Sequence, residues 1–592
     1  MPGGEEPLLR PGSPTSNDSA IAEEDALLTG ERTGKEDITS TTRSKWREIG
    51  LFVWALLATA TVVILAVVYQ HSQTTGKSAE SDSIPTGKRN LIFMVSDGMG
   101  PTSLALTRGY RQFTDELPWD DTLIIDDHMI GQSRTRSSSS LVTDSAAGAT
   151  AFSCGQKSYN GAISVLPDHT PCGSVMEAAK RLGYTTGLVV TTRITDATPA
   201  VFASHVRRRE MEDDVALQMI GETHPLGRMV DLMFGGGRCH FLPNSNERSC
   251  RNDTTDVVST AKDAGWSYIS TRSEFDSLSS APALPLLGLF ADQDIPYEID
   301  RRFQDSTYPP LKSTALKALE ALSAATKNTE EGFFIMIEGS RIDHAGHAND
   351  PAAQVHEVLA YDETIAAVLD FIERTETPTL MVSTSDHETG GLATARQLHP
   401  TYPDYLWYPS VLANASHSSA WTAHQYHLYL DALSHNTSAP TEEIALKNEK
   451  LAYLTTLASS NLGIHDASSN ELSTLVSAPA IAAYSFADMV SRRAQTGWST
   501  HGHSGADVNI FASNREWAKD LAGNHENTEI GEFLRRYLGA EEEVEKVTAE
   551  LREKMDVSHL GEIPKEGERL DGQDHLDHYH GDHRKRCTGC GA

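Results

Sequence analysis

Unbroken apolar runs, rather than alternating ones, set the rhythm of this chain. Asn90-Leu-Ile-Phe-Met-Val-Ser96 stops at Asp97-Gly98, a turn signal. Thr186-Gly-Leu-Val-Val-Thr-Thr192, Gly332-Phe-Phe-Ile-Met-Ile-Glu338 and Thr379-Leu-Met-Val-Ser-Thr384 repeat the pattern. Strands apolar on both faces belong to a parallel sheet covered on both sides. Between them the period becomes helical. One such pattern spans Gly173 to Leu182. Another opens with Asp350 as N-cap and Pro351 at the first helical position, and sets Val355, Val358, Leu359, Leu369 and Ile372 on one face. The alternation predicts an α/β fold, a three-layer α/β/α sandwich around a mostly parallel sheet. Ligands of such folds bind beyond the carboxyl ends of the strands, where Asp97, Glu338 and Asp386 all fall.

The longest apolar stretch, Ile49 to Tyr69, carries no charge. At about 1.5 Å per residue it matches the hydrocarbon thickness of a bilayer and predicts one transmembrane helix over 49–69. Arg43, Lys45 and Arg47 immediately precede it, which places residues 1–48 in the cytosol and the rest in a lumen or outside the cell, a type II topology. Residues 1–48 read as a disordered tail and 70–88 as a stalk. The catalytic domain is expected over 89–540. Within it, 240–310 is polar and loop-rich, and 395–495, rich in Tyr, Trp, His, Ser and Ala, reads as a crown-like insertion over the active face. Residues 541–592 read as an acidic, His-rich tail open to removal.

The formal charge of −32 argues against a nucleic-acid partner. All six cysteines follow the apolar span, so an oxidising lumen allows pairing in sequence order, Cys154 with Cys172 and Cys239 with Cys250. Asn252, Asn414 and Asn436 open lumenal glycosylation tripeptides. The tail sequence Glu23-Glu24-Asp25-Ala26-Leu27-Leu28 is similar to the acidic dileucine signal read by sorting adaptors, which suggests a vacuole-like destination.

Ser145 follows Asp144 and opens a small-residue helical stretch, so it stands at a helix amino terminus that favours anions. A serine hydroxyl needs a base or a metal to become a nucleophile. No Gly-x-Ser-x-Gly elbow surrounds it, which favours a metal over a Ser-His-Asp triad. Asp343 and His347 lie one helical turn apart, a spacing suited to zinc, while Asp386-His387 is an adjacent pair and His503 adds an imidazole. Glu338 and Thr198 offer hard oxygens suited to magnesium.

Together, Asp97-Gly-Met-Gly, Thr143-Asp-Ser-Ala-Ala-Gly, Asp196-Ala-Thr-Pro-Ala, Glu338-Gly-Ser-Arg-Ile-Asp-His-Ala-Gly-His347 and Asp386-His-Glu-Thr-Gly-Gly resemble the alkaline phosphatase family, and with the apolar span and dileucine signal its fungal vacuolar members. The resemblance covers about residues 90–515. It implies a metal-dependent phosphomonoesterase with two zinc ions and one magnesium per subunit, acting on small phosphomonoesters through a phosphoserine on Ser145. Asp343, His347 and His503 would hold the first zinc, and Asp97, Asp386 and His387 the second. Asp97, Thr198 and Glu338 would hold magnesium, with Asp196 orienting its waters, and Arg209 would clamp the phosphate. Arg209 is preferred to Arg207 and Arg208 because it follows Asp196 by the family interval, and His503 to His501 because His-x-Gly-x-Asp-Val fits the family motif. The pair Asp196 and His344 mixes bacterial and animal patterns. The spacing of Cys154 and Cys172 matches a disulfide of animal relatives. The family also implies a homodimer. The competing readings are a sulfatase, phosphodiesterase or metal-dependent mutase on the same scaffold, and a binding ectodomain whose site has decayed.

Overall fold

The computed structural model describes residues 84–435, 443–565 and 568, with isolated positions at 52–54, 59 and 61. The expected tail, most of the apolar span, the stalk up to residue 83, Asn436 and the His-rich end lie outside the described residues. Among the described residues no helix is long and apolar enough to cross a membrane.

The strands in chain order are β1 (Asn90–Val95), β2 (Met129–Arg134), β3 (Thr185–Arg193), β4 (Leu232–Gly236), β5 (Ser267–Ile269), β6 (Leu286–Leu289), β7 (Phe333–Glu338), β8 (Thr379–Thr384), β9 (Glu388–Thr389), β10 (His503–Ser504), β11 (Val508–Ala512) and β12 (Gly523–Glu526). Ten of them form one sheet in the order β12-β2-β11-β8-β1-β7-β3-β4-β6-β5. From β8 to β5 every neighbour is parallel, whereas β11 runs antiparallel to both β8 and β2.

β1 explains why the runs are continuous. Leu91, Phe93 and Val95 pack into one core with Ala149 and Phe152 of the helix Ser145–Cys154 and Phe533 of the helix Asn527–Leu538. Ile92 and Met94 face the other way, into a core with Leu319 and Leu322 of the helix Leu311–Ala325 and Tyr361 and Ile365 of the helix Pro351–Arg374. Helices thus cover both faces. Asp350 caps the helix Pro351–Arg374 by accepting the Ala352 and Ala353 N–H groups, each at 3.0 Å. The predicted helix from Gly173 starts instead at Val175, because Ser174 and Glu177 form a capping box there.

Two readings need correction. The loop-rich stretch 240–310 contains β5 and β6, the edge of the main sheet. Residues from 541 do not begin as a tail. The helix Glu541–Lys554 packs on the helix Val175–Arg181 and buries Val544, Val547 and Leu551.

Residues 390–502 leave the sheet between β9 and β10, which pair antiparallel and close the excursion at its base. Its helices, including Ala482–Ala494, form a third core around Tyr426, Leu454 and Phe486. That core also takes in Leu106, Tyr110 and Val355 from the main body.

Candidate active site

The sheet order places four carboxylates side by side. Asp386 follows β8, Asp97 follows β1, Glu338 ends β7 and Asp196 follows β3, and these strands are consecutive neighbours. The turn after β1 must approach the helix Arg341–His347 closely. Gly98 adopts φ +77°, and a Cβ there would stand 2.5 Å from Asp343 Cα. Gly148 serves a similar end, since a Cβ at that helix position would meet Asp386 at 3.1 Å.

Ser145 is the first residue of its helix, with Asp144 as N-cap accepting from Ala147 N at 2.9 Å. Its Oγ lies 3.1 Å from His387 Nε2. A cavity of about 140 Å³ opens here, lined by Asp97, Asp144, Ser145, Asp196, Arg209, Asp343, His344, His347 and His503. Thr198, Glu338, Asp386 and His387 are buried more deeply still.

Three imidazoles converge with their tautomers fixed. His503 Nδ1 donates to Thr143 O at 2.7 Å, and His347 Nδ1 donates to His501 O. Thr389 spends its hydroxyl proton on Asp343 Oδ1, so it accepts from His387 Nδ1 at 3.1 Å. With Nδ1 so engaged, the neutral form of each ring turns its Nε2 lone pair to the cavity. His347 Nε2 and His503 Nε2 are only 3.1 Å apart. Asp343 Oδ2 lies 3.2 Å from the first and Oδ1 lies 3.5 Å from the second. Ligand atoms about 2.0–2.1 Å from a tetrahedral zinc stand about 3.3 Å from one another, so this triad fits the ion. A second set is His387 Nε2 with Asp386 Oδ2 at 3.1 Å and Asp97 Oδ1 at 3.5 Å. Asp97 Oδ1 is buried without a hydrogen bond. His387 also lies within reach of Asp343 and His503, stacked on the latter with ring centres 3.5 Å apart. Oxygen donors alone remain on the far side, where Glu338 accepts from Ser340 Oγ at 2.7 Å beside Thr198.

The electrostatics call for cations. Burial, then Asp386, Asp343 and Glu338, push the Asp97 carboxyl well above its usual range. Burial and the neighbouring carboxylates push Glu338 up to about 8. Burial also acts on Asp343, but His347, His503 and His387 outweigh it and hold that carboxyl low. Buried acids this crowded suit cations, whose charge would let Asp97 and Glu338 ionise.

Arg209 supplies part of that charge. Its Nη1 lies 3.3 Å from Asp144 Oδ2 and its Nη2 donates to Asp196 Oδ1 at 3.0 Å. Arg208 instead forks onto Glu568, and Arg207 donates to the carbonyls of His169 and Gly561, both outside the cavity lining. His501 likewise stays out of the triad, with Nδ1 donating to His347 O at 2.8 Å. His344 does line the cavity. Burial, with Arg341 beside it and against the pull of Asp294, lowers it to about 4 and keeps it neutral. Asp196 is gripped by Arg193 as well as Arg209. The roles of Thr389, Asp144 and the His501 carbonyl were not apparent from the sequence. For Asp144 a signal existed, since it precedes the helix that Ser145 opens. For a backbone carbonyl there is none.

Cys154–Cys172 and Cys239–Cys250 are disulfide-bonded, and the first ties the carboxyl end of the Ser145 helix to the segment entering the helix Val175–Arg181.

The sequence model of the alkaline phosphatase family matches residues 88–540. The chain is 52% identical over 473 residues to the repressible alkaline phosphatase of Saccharomyces cerevisiae, covering 76% of this chain and 81% of that protein. It is 42% identical over 526 residues to an alkaline phosphatase of Schizosaccharomyces pombe, covering 87% and 92%. Among solved structures, the cold-active alkaline phosphatase of a Shewanella species superimposes with a TM-score of 0.60 at 30% identity, covering 76% of this chain and 99% of that one.

Proposed function

The chain belongs to the alkaline phosphatase family, whose hydrolases act on phosphomonoesters, and from that premise we propose that it works through a covalent phosphoserine on Ser145. Asp343, His347 and His503 would hold one zinc, Asp97, Asp386 and His387 a second, and Asp97, Thr198 and Glu338 a magnesium, with Asp196 beside it. When bound, these ions supply Lewis acidity that lowers the pKa of an adjacent hydroxyl and offsets oxyanion charge. The observation that carries the reading is the pair of imidazole Nε2 atoms, of His347 and His503, held 3.1 Å apart beside a carboxylate. In the neutral rings their lone pairs face each other, and an ion between them would take both.

The substrate phosphate enters with its oxygens toward Arg209, whose planar fork matches two of them. Ser145 Oγ attacks phosphorus in line as the bond to the alcohol oxygen breaks, and the proton Ser145 gives up is matched by the one the alcohol gains. Water then attacks from the opposite side, breaks the P–Oγ bond and restores the serine proton, so configuration at phosphorus is retained. The amino-terminal end of the Ser145 helix favours phosphate charge throughout. Neutral His344 holds its ring without adding a second cation.

The test is p-nitrophenyl phosphate hydrolysis by the native chain and Ser145→Ala, before and after chelation and after return of zinc and magnesium. Chelator-sensitive turnover that zinc and magnesium restore and Ser145→Ala lacks would support the mechanism. Folded, zinc-loaded protein that cleaves only diesters or sulfate esters would overturn it, and protein that binds no zinc would favour a binding ectodomain.

The location is also a proposal: a single-pass type II protein of a vacuole-like membrane, sorted by an adaptor reading Leu27-Leu28, with the enzyme in the lumen. The uncharged stretch 49–69, the two disulfides and the exposed Asn252 and Asn414 support it. Protease protection of a tagged chain, with and without Leu27→Ala and Leu28→Ala, tests it. The homodimer that the family implies is tested by light scattering of the purified chain.

A further inference from the structure

We propose that His501, held by Tyr484 of the inserted helix Ala482–Ala494, is a positioning residue for His347, so that the insertion governs how tightly the first metal triad keeps its ion. The inference rests on the reading of Asp343, His347 and His503 as zinc ligands.

The helix Arg341–His347 carries two of the three ligands, and its last carbonyls have no partners within it. Asn349, at φ +54°, turns the chain back, and its Nδ2 donates to Gly346 O at 2.8 Å and to Thr500 O at 2.9 Å. His347 O accepts from His501 Nδ1 at 2.8 Å. Asn349 O accepts from Ser491 Oγ at 3.1 Å, which in turn accepts from Trp498 Nε1 at 2.9 Å. The backbone N–H groups of Ala348, Asp350 and Asn349 take the carbonyls of His344, Ala345 and Gly346, so the last carbonyl, of the ligand His347 itself, is the one left to the chain that returns from the insertion.

His501 closes a reciprocal pair. Its side chain donates to the His347 carbonyl while its own carbonyl receives the His347 Nδ1 proton. That second bond aims His347 Nε2 at Asp343 and His503. The His501 ring stacks on Tyr484, with centroids 4.2 Å apart and planes 29° from parallel. Trp498 packs over Gly390, where a Cβ would lie 2.5 Å from the indole, and this pins the returning chain beside β9. Outer partners of this kind fix the orientation and basicity of a ligating imidazole, and losing one costs about 10–100-fold in metal affinity.

The experiment uses the full-length, zinc-loaded protein in detergent and follows transfer of zinc to a chromogenic chelator. His501→Ala and Tyr484→Ala should release one of the two zinc ions about 10–100-fold faster than the native chain. His501→Asn, whose amide can replace the Nδ1 donor but not the ring on Tyr484, should release more slowly than His501→Ala, and Tyr484→Phe should release at the native rate. At saturating zinc, kcat of His501→Ala should recover to within about threefold with KM unchanged. A native release rate in both alanine variants overturns the proposal. So does His501→Asn releasing as fast as His501→Ala, since that would make the ring a packing element only. Should His501→Ala not fold, Tyr484→Ala carries the same expectation. His347→Ala run alongside separates the two layers. If it too keeps both ions at the native rate, the ligand assignment itself has failed.

Discussion

Replacing Arg209 with Ala removes the cation between Asp144 and Asp196. The guanidinium reaches the first at 3.3 Å and the second at 3.0 Å, and its side chain is 9% exposed. Asp196 keeps a second cation, Arg193, at 3.1 Å, so the loss falls mainly on Asp144. Burial already raises the Asp144 carboxyl and Arg209 opposes it, so the variant raises it further. For a bound phosphate, each charge-assisted hydrogen bond is worth about 1.5–3 kcal/mol, and a fork makes two. Water entering the vacated space returns part of this. We expect a net loss of about 3 kcal/mol, roughly two decades in kcat/KM. Arg209→Lys keeps the charge but not the fork and should lose about one decade. Hydrolysis of p-nitrophenyl phosphate gives kcat/KM, and competitive inhibition by inorganic phosphate reads the binding part alone, where the Ala variant should again lose about two decades. Arg208→Ala, which removes only the pairing with Glu568, should stay within about twofold. Two results would refute the reasoning. One is loss at Arg208 with little at Arg209. The other is an Arg209→Ala enzyme that turns over slowly yet binds inorganic phosphate as tightly as the native chain.

Exhaustive chelation should lower the melting temperature by several degrees, because it leaves the buried acids around Asp97 uncompensated, and zinc should restore it; calorimetry of the two forms checks this. Away from the site, buried Glu177 accepts from His205 at 3.0 Å and Ser174 N at 2.6 Å on its two oxygens, with His224 Nε2 2.8 Å away, and no orientation of a glutamine amide accepts from both. Glu177→Gln should therefore cost about 2–4 kcal/mol in denaturant unfolding. Despite burial, the two histidines hold Glu177 below its ordinary 4.5, and Glu177 raises His205 above 6.5 against the same burial, so the carboxylate's share is lost as pH falls and that of His205 as pH rises. The gap to the native chain should be widest between pH 4.5 and 6.5. Val547→Asp, in a fully buried position of the helix Glu541–Lys554, should cost about 3 kcal/mol or more, whereas a true tail would tolerate it in the same unfolding assay.

What the sequence made legible follows physical lines. Asp97, Glu338 and Asp386 stood out because each ends an apolar run, and adjacency of β8, β1 and β7 then brings them together without further information. β5 and β6 were hidden because they span only Ser267–Ile269 and Leu286–Leu289, too short for a period to show amid polar loops. The helix Glu541–Lys554 did carry its signal, with Val544, Val547 and Leu551 at helical spacing, but acidic composition outweighed three apolar residues. The partners that aim the imidazoles were beyond reach for a different reason. Two of the three are backbone carbonyls, of Thr143 and His501, and a carbonyl is present whatever the residue.

That contrast bears on how such a site is built. The residues proposed as ligands sit on strand ends and one helix, where the main cores fix the backbone. Their mutual repulsion, visible in the raised carboxyls of Asp97 and Glu338, works against folding of the ion-free site. The cores of the sandwich, with Phe93, Phe152 and Tyr361 among their buried residues, supply the packing that offsets this repulsion. As the proposed ligands, the imidazoles need more than position, because a ring that rotates would turn its lone pair away from an ion. Their aim comes from Thr143, Thr389 and His501, of which the last is tied through Tyr484 to the insertion. Replacements in the insertion should thus change how long the metal stays while leaving where it binds untouched, and replacements in the sandwich cores should do the reverse.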